Sequence, residues 1–86
     1  MRNIIFTNNS YKDFIDWSVT DKKIFARIDE LIKSISRTPY TGIGKPEALK
    51  HELSGFWSRK INDEHRIVYR LNADNEIEIA SCKNHY

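Results

Sequence analysis

The sequence predicts one α+β domain, with two N-terminal helices packed on one face of a curled, mostly antiparallel sheet. Three observations lead there. Apolar residues recur at three- and four-residue steps through the first half of the chain. After residue 48 the period changes to two. The later strands are joined by turns too short for a crossover, so they must pair antiparallel. At 86 residues the chain holds one core, and residues 1–86 are read as a single domain.

The elements follow in order. Residues 3–6 form a short apolar run of strand type. Ser10 with Asp13 three residues on resembles a capping box, and Tyr11, Phe14, Ile15 and Val19 follow at rough helical spacing. Thr20 and Asp21 offer a second N-cap. Beyond them Ile24, Phe25, Ile28, Leu31, Ile32 and Ile35 form an amphipathic helix. Thr38 and Pro39 stop it, because the residue before a proline avoids helical geometry. A loop punctuated by Gly42, Gly44 and Pro46 carries the chain to residue 48. Residues 49–53 and 56–61 read as short strands, with Ser54-Gly55 between them and Asn62-Asp63 as a hairpin turn. Residues 65–71 alternate, with Ile67, Tyr69 and Leu71 on one face and Arg66, Val68 and Arg70 on the other. Residues 72–75 turn the chain again, and Ile77, Ile79 and Ser81 then alternate with Glu78, Ala80 and Cys82.

Composition narrows the classes. Charged residues are 30% of the chain and hydrophobic residues 40%, which gives a solvated surface over a modest core. No apolar run approaches a membrane span, the opening residues are too polar for a signal peptide, and a cytoplasmic address is expected. A lone Cys82 excludes an internal disulfide framework, and three scattered histidines with few clustered carboxylates suggest neither metal nor cofactor. The net charge of +2 is only mildly basic, but Lys45, Lys50, Arg59, Lys60, Arg66 and Arg70 all fall in the second half. Such a distribution suits a phosphate-facing sheet on a helical support; an ordinary solvated face would look the same.

Three residues, Arg66, Glu47 and His85, are not explained by the core. Arg66 and Arg70 point together to the sheet face that the helices leave open, a placement suited to phosphate or to plain solvation. Glu47, in the glycine-punctuated loop between Lys45 and Lys50, is either a charge-balanced surface carboxylate or a general base at the rim of the sheet. His85 sits in a frayed tail or is carried by the last strand to the edge of the open face, where it would donate a proton. Together the three fit RNA cleavage by its own 2′-hydroxyl. That step needs a base at the 2′-oxygen, a cation on the phosphorane oxygens and an acid at the 5′-oxygen. Trp17 and Trp57 read as core or dimer-interface aromatics, with base stacking left open for Trp57 on its strand. Cys82 reads as a buried filler, and His51 and His65 as structural or solvated rather than catalytic, with His65 beside Arg66 also placed to face RNA.

Residues 42–61, GIGKPEALKHELSGFWSRKI, with residues 64–69, EHRIVY, and the ending His85-Tyr86, closely resemble the YoeB/Txe toxins of the RelE superfamily. The resemblance covers nearly the whole chain and is weakest before residue 20. It implies a type II toxin–antitoxin system, a RelE-type, microbial ribonuclease-like fold, and cleavage of mRNA in the ribosomal A site without metal. It further implies Glu47 as general base, Arg66 as phosphate stabiliser, His85 as general acid and Tyr86 as a base-orienting residue. Lys50, Arg59, Lys60 and Arg70 are expected to contact substrate or the ribosome. Expected partners are a YefM-type antitoxin, the 70S ribosome with mRNA, a second copy in a homodimer, and operator DNA only through the antitoxin complex. Two departures stand out: Lys60 replaces a more usual arginine, and Ala48 a common proline. The alternative functions are a non-catalytic RNA- or ribosome-binding module and an antitoxin-dependent transcriptional co-repressor.

Overall fold

The computed structural model describes residues 1–84. The chain runs β1 (Ile4–Phe6), α1 (Asn8–Thr20), α2 (Lys22–Arg37), β2 (Glu47–Ala48), a 3₁₀ turn (His51–Leu53), β3 (Trp57–Lys60), β4 (Arg66–Leu71) and β5 (Ile77–Ser81). The five strands form one sheet in the order β1-β5-β4-β3-β2. β2, β3, β4 and β5 are antiparallel neighbours, and β1 lies parallel to β5 with Ile4 opposite Ile77. The expected α+β class and its mostly antiparallel sheet are therefore found.

Local chemistry sets the helix ends. α1 is capped by Thr7, whose side chain accepts from the Ser10 backbone N–H at 3.1 Å, so it starts before the predicted Ser10 cap. Ser10 is instead fully buried, and its hydroxyl donates to the Ile79 carbonyl at 2.6 Å, pinning α1 to β5. Of α1's large side chains Trp17 turns inward, while Tyr11, Ile15 and Val19 stay exposed. Asp21 ends α1 and starts α2: its N–H donates to the Trp17 carbonyl, and its carboxylate accepts from the Lys23 and Ile24 N–H groups. α2 stops at Thr38, as the following proline requires.

α2 buries Ile28, Leu31, Ile32 and Ile35 against Ile67, Tyr69, Ile77 and Ile79 of the sheet. Each such side chain stabilises the fold by roughly 1.5–3 kcal/mol through burial. Val68 and Tyr69 of β4 pair with Ser81 and Ile79, so the register shifts by one residue at Ala80 of β5, the kind of bulge that bends a sheet. The strand expected over residues 49–53 is absent. The strand is Glu47–Ala48, and the chain then leaves β3 as a 3₁₀ turn entered through His51 at φ 59°.

Candidate functional site

Strand alternation and register decide which side chains share the face away from the helices. Arg59 on β3 and Ile67 and Tyr69 on β4 turn toward the helices. The residues between them turn the other way. Glu47 is registered with Ser58, Ser58 with Val68, and Lys60 with Arg66. The open face thus has a floor of two small buried side chains, Ser58 and Val68, rimmed by Glu47, Lys60, Arg66 and Arg70. Glu47 lies two strands from Arg66 and one pleat out of line, about 12 Å between Cα atoms by strand geometry. That separation leaves room for a phosphodiester between the two residues.

The cations on this face differ in what they already hold. Lys60 pairs with Asp63 at 2.8 Å, and that contact keeps the Asp63 carboxyl below its usual range. Arg70 pairs with Glu78 at 2.7 Å and lies over the Phe56 ring at 5.3 Å; its hydrogen bond, then that of Asn72, holds Glu78 low. Arg66 bonds only carbonyl oxygens, those of Asn62 at 2.9 Å and His65 at 3.3 Å, and no ion pair engages it among the described residues. Arg66 and Arg70 do not converge on one phosphate. Four residues of extended strand separate them by about 13 Å, and Arg70 is neutralised by Glu78.

Arg59 departs from the sequence expectation. It is fully buried and all of its N–H groups are used inside the protein. Nε donates to the Tyr69 hydroxyl, Nη1 to the Ser34 hydroxyl and the Ile43 carbonyl, and Nη2 to the Thr38 and Thr41 carbonyls, at 2.7–3.1 Å. Tyr69 in turn donates to the Pro39 carbonyl at 2.6 Å, and burial raises its phenol pKa. Arg59 therefore cannot contact substrate. It ties the C-terminal end of α2 to the loop that leads to Glu47, a position where the helix dipole also favours a cation. Gly44 makes that loop possible, because a Cβ there would sit 2.7 Å from Leu31 Cδ2 at a φ of +82°. The loop ends in a backbone bond from Lys60 N–H to the Gly44 carbonyl at 2.7 Å, which delivers Glu47 to the sheet edge.

Lys50 is exposed and lines a surface cleft of about 530 Å³ with Glu47, Leu49 and His51. A cleft of about 520 Å³ at the far edge, between Arg2 and Asn75, contains none of the expected site residues. His85 and Tyr86 lie outside the described residues. The chain reaches Asn84 beside β4, where the Arg66 N–H donates to the Asn84 carbonyl at 3.1 Å. No group of three His, Cys, Asp or Glu side chains among the described residues could hold a metal ion, and no helix is long and apolar enough to cross a membrane.

Residues 6–86 match the family model of the YoeB-like toxin of bacterial type II toxin-antitoxin systems. The chain belongs to that family. It is 52% identical over 83 residues to Toxin YoeB of Escherichia coli K12, covering 96% of this chain and 98% of the relative. Two Staphylococcus aureus structures share its fold: a YoeB dimer (50% identity, TM-score 0.90, 99% of this chain and 98% of that one) and a YoeB-YefM complex (48% identity, TM-score 0.90, 100% and 99%). The same architecture extends to a chain of the Mycobacterium tuberculosis RelBE2 toxin-antitoxin complex at 21% identity, TM-score 0.72 and 98% coverage of both chains. That match bears on the fold alone, and the fold is of the expected RelE type. As a member of the family, the chain is a toxin of a type II system.

Of the two readings given to His65, the structural one holds: it is buried and accepts a hydrogen bond from the Asn84 N–H, next to His85 in the chain.

Proposed function

We propose that this YoeB-like toxin is a metal-independent endoribonuclease that cleaves mRNA in the ribosomal A site. One observation carries the reading: Glu47 and Arg66 rim the same open sheet face, and the chain comes to Arg66 at the residue before His85. In the proposed reaction Glu47 takes the proton from the 2′-hydroxyl, and the 2′-oxygen attacks the adjacent phosphorus. Arg66 pairs with the phosphorane oxygens, for which its planar fork suits it. His85 protonates the departing 5′-oxygen, and Tyr86 orients a base. The products are a 2′,3′-cyclic phosphate and a 5′-hydroxyl end, so atoms and charge balance without a metal. Lys50 and Lys60 contact the RNA backbone or the ribosome, Lys60 as a point charge already shared with Asp63.

The protein acts in the bacterial cytoplasm on the 70S ribosome. It is neutralised by a YefM-type antitoxin and forms a homodimer, readings supported by the S. aureus complex and dimer. It reaches operator DNA only through the antitoxin complex. The test is cleavage of a defined message on programmed ribosomes. Positioned acid–base groups contribute about 10²–10⁴-fold, so Glu47→Ala and His85→Ala should each lose at least about 100-fold. Undiminished cleavage in both variants would refute the assignment and leave a binding module or a co-repressor.

A further inference from the structure

We propose that His65 is a positioning residue that fixes the C-terminal tail so that His85 meets the leaving oxygen; the role rests on His85 being the general acid. The peptide of Asn84 is held from both sides by consecutive residues at the start of β4. Its N–H donates to His65 Nδ1 at 2.8 Å, and its carbonyl accepts from the Arg66 N–H at 3.1 Å. Asn84 turns the chain in the left-handed region at φ 65°, a conformation asparagine adopts more readily than most residues. The two residues before it are held as well. Trp17 Nε1 donates to the Cys82 carbonyl at 2.8 Å, and Lys83 lies 5.3 Å over the Trp17 ring with its amine 3.7 Å from Asp16. Trp17 also meets the His65 ring edge-on at 4.8 Å, so one buried pair of rings grips three successive tail residues.

An acceptor at Nδ1 requires that the neutral ring carry its proton on Nε2, the side where Glu64 lies 3.8 Å away. Tail placement thus depends on a specific atom of His65, and the hold connects directly to Arg66. The phosphate-stabilising residue and the acid are set by one backbone junction. A shift of one ångström in a reacting group lowers rates by roughly 100-fold, which makes such a junction matter for rate more than for binding.

Two substitutions separate this role from packing. His65→Phe keeps a ring against Trp17 and removes the acceptor; His65→Asn loses the ring but places Oδ1 as many bonds from the backbone as Nδ1. Positioning predicts that His65→Phe slows single-turnover cleavage on programmed ribosomes at least tenfold, with ribosome Kd unchanged within twofold. It predicts that His65→Asn keeps most of the rate. A packing role predicts the reverse order, and that order would overturn the proposal. Hydrogen exchange gives a readout independent of activity: the Asn84 amide should be protected in the wild type and in His65→Asn, and exchange at least tenfold faster in His65→Phe. An unprotected Asn84 amide in the wild type would overturn the clamp even if His65→Phe failed to fold. Glu47→Gln separates the two levels. If it abolishes cleavage while His65→Phe cleaves normally, only the positioning role fails; if neither variant affects cleavage, the catalytic reading fails.

Discussion

Replacing Arg59 by Met removes a buried guanidinium but fills much the same volume, so its cost isolates the hydrogen bonds. The partners left behind are the Ser34 and Tyr69 hydroxyls and the carbonyls of Thr38, Thr41 and Ile43. Thr38, Thr41 and Ile43 are exposed residues whose carbonyls regain water, and Tyr69 keeps its bond to Pro39. The unpaired Ser34 hydroxyl and the lost charge-assisted bond to Tyr69 remain, at about 1–3 kcal/mol each. Relief of the guanidinium's own burial offsets part of that sum and leaves about 2 kcal/mol. For a domain of this size each kcal/mol shifts Tm by about 4–8 °C, so Arg59→Met should lower Tm by about 8 °C or more. Arg59→Lys keeps the charge without the planar fork and should also fall well below wild type. The assay is thermal and urea unfolding of the purified toxin, beside ribosome binding. A Met variant that melts within 2 °C of wild type but binds ribosomes weakly would refute the structural role and restore Arg59 to the RNA-contacting set.

Gly44→Ala should cost more than about 1 kcal/mol in urea unfolding, since it combines an unfavourable φ of +82° with a Cβ 2.7 Å from Leu31; an unchanged midpoint would contradict the close approach. Burial pushes the Cys82 thiol up to about 12, so the folded state keeps it protonated when the unfolded chain ionises. Its contribution is complete below the unfolded pKa and is lost as pH rises from about 9 toward 12, at roughly 1.4 kcal/mol per pH unit. Urea midpoints at pH 7 and 10 should therefore differ less in Cys82→Ala than in wild type, and equal differences would remove Cys82 as the cause. Arg66→Lys should lower single-turnover cleavage at least tenfold while ribosome Kd stays within twofold, because the fork matters most at the phosphorane; equal losses in both would assign Arg66 to binding.

Much of this fold was legible because its signals are local. Asp21 as a cap, the amphipathic face of α2, the stop at Pro39 and the alternation of β4 and β5 all follow from neighbours within a few residues. The placement of Arg66 was legible in the same way: it sits on the open face because Ile67 and Tyr69 take the other one. What escaped depends on distant partners. Residues 49–53 alternate well enough for a strand, but Glu47 and Ala48 pair with β3 instead, and nothing near them in sequence states that register. The parallel pairing of β1 with β5 joins residues more than 70 positions apart. Arg59 could have been placed by parity, since it shares its strand face with the half-buried Trp57 of the core side, while Ser58 and Lys60 take the other. Cationic character argued for the surface, and only the five acceptors gathered from α2, β4 and the following loop make its burial possible.

The chemistry of the cut ends tests 2′-hydroxyl attack by itself. A message cleaved on programmed ribosomes by the wild-type toxin should carry a 2′,3′-cyclic phosphate upstream and a 5′-hydroxyl downstream, and Glu47→Ala should suppress both. A 3′-hydroxyl with a 5′-phosphate would instead mean attack by water at the phosphorus, and would contradict the roles of Glu47, Arg66 and His85 together.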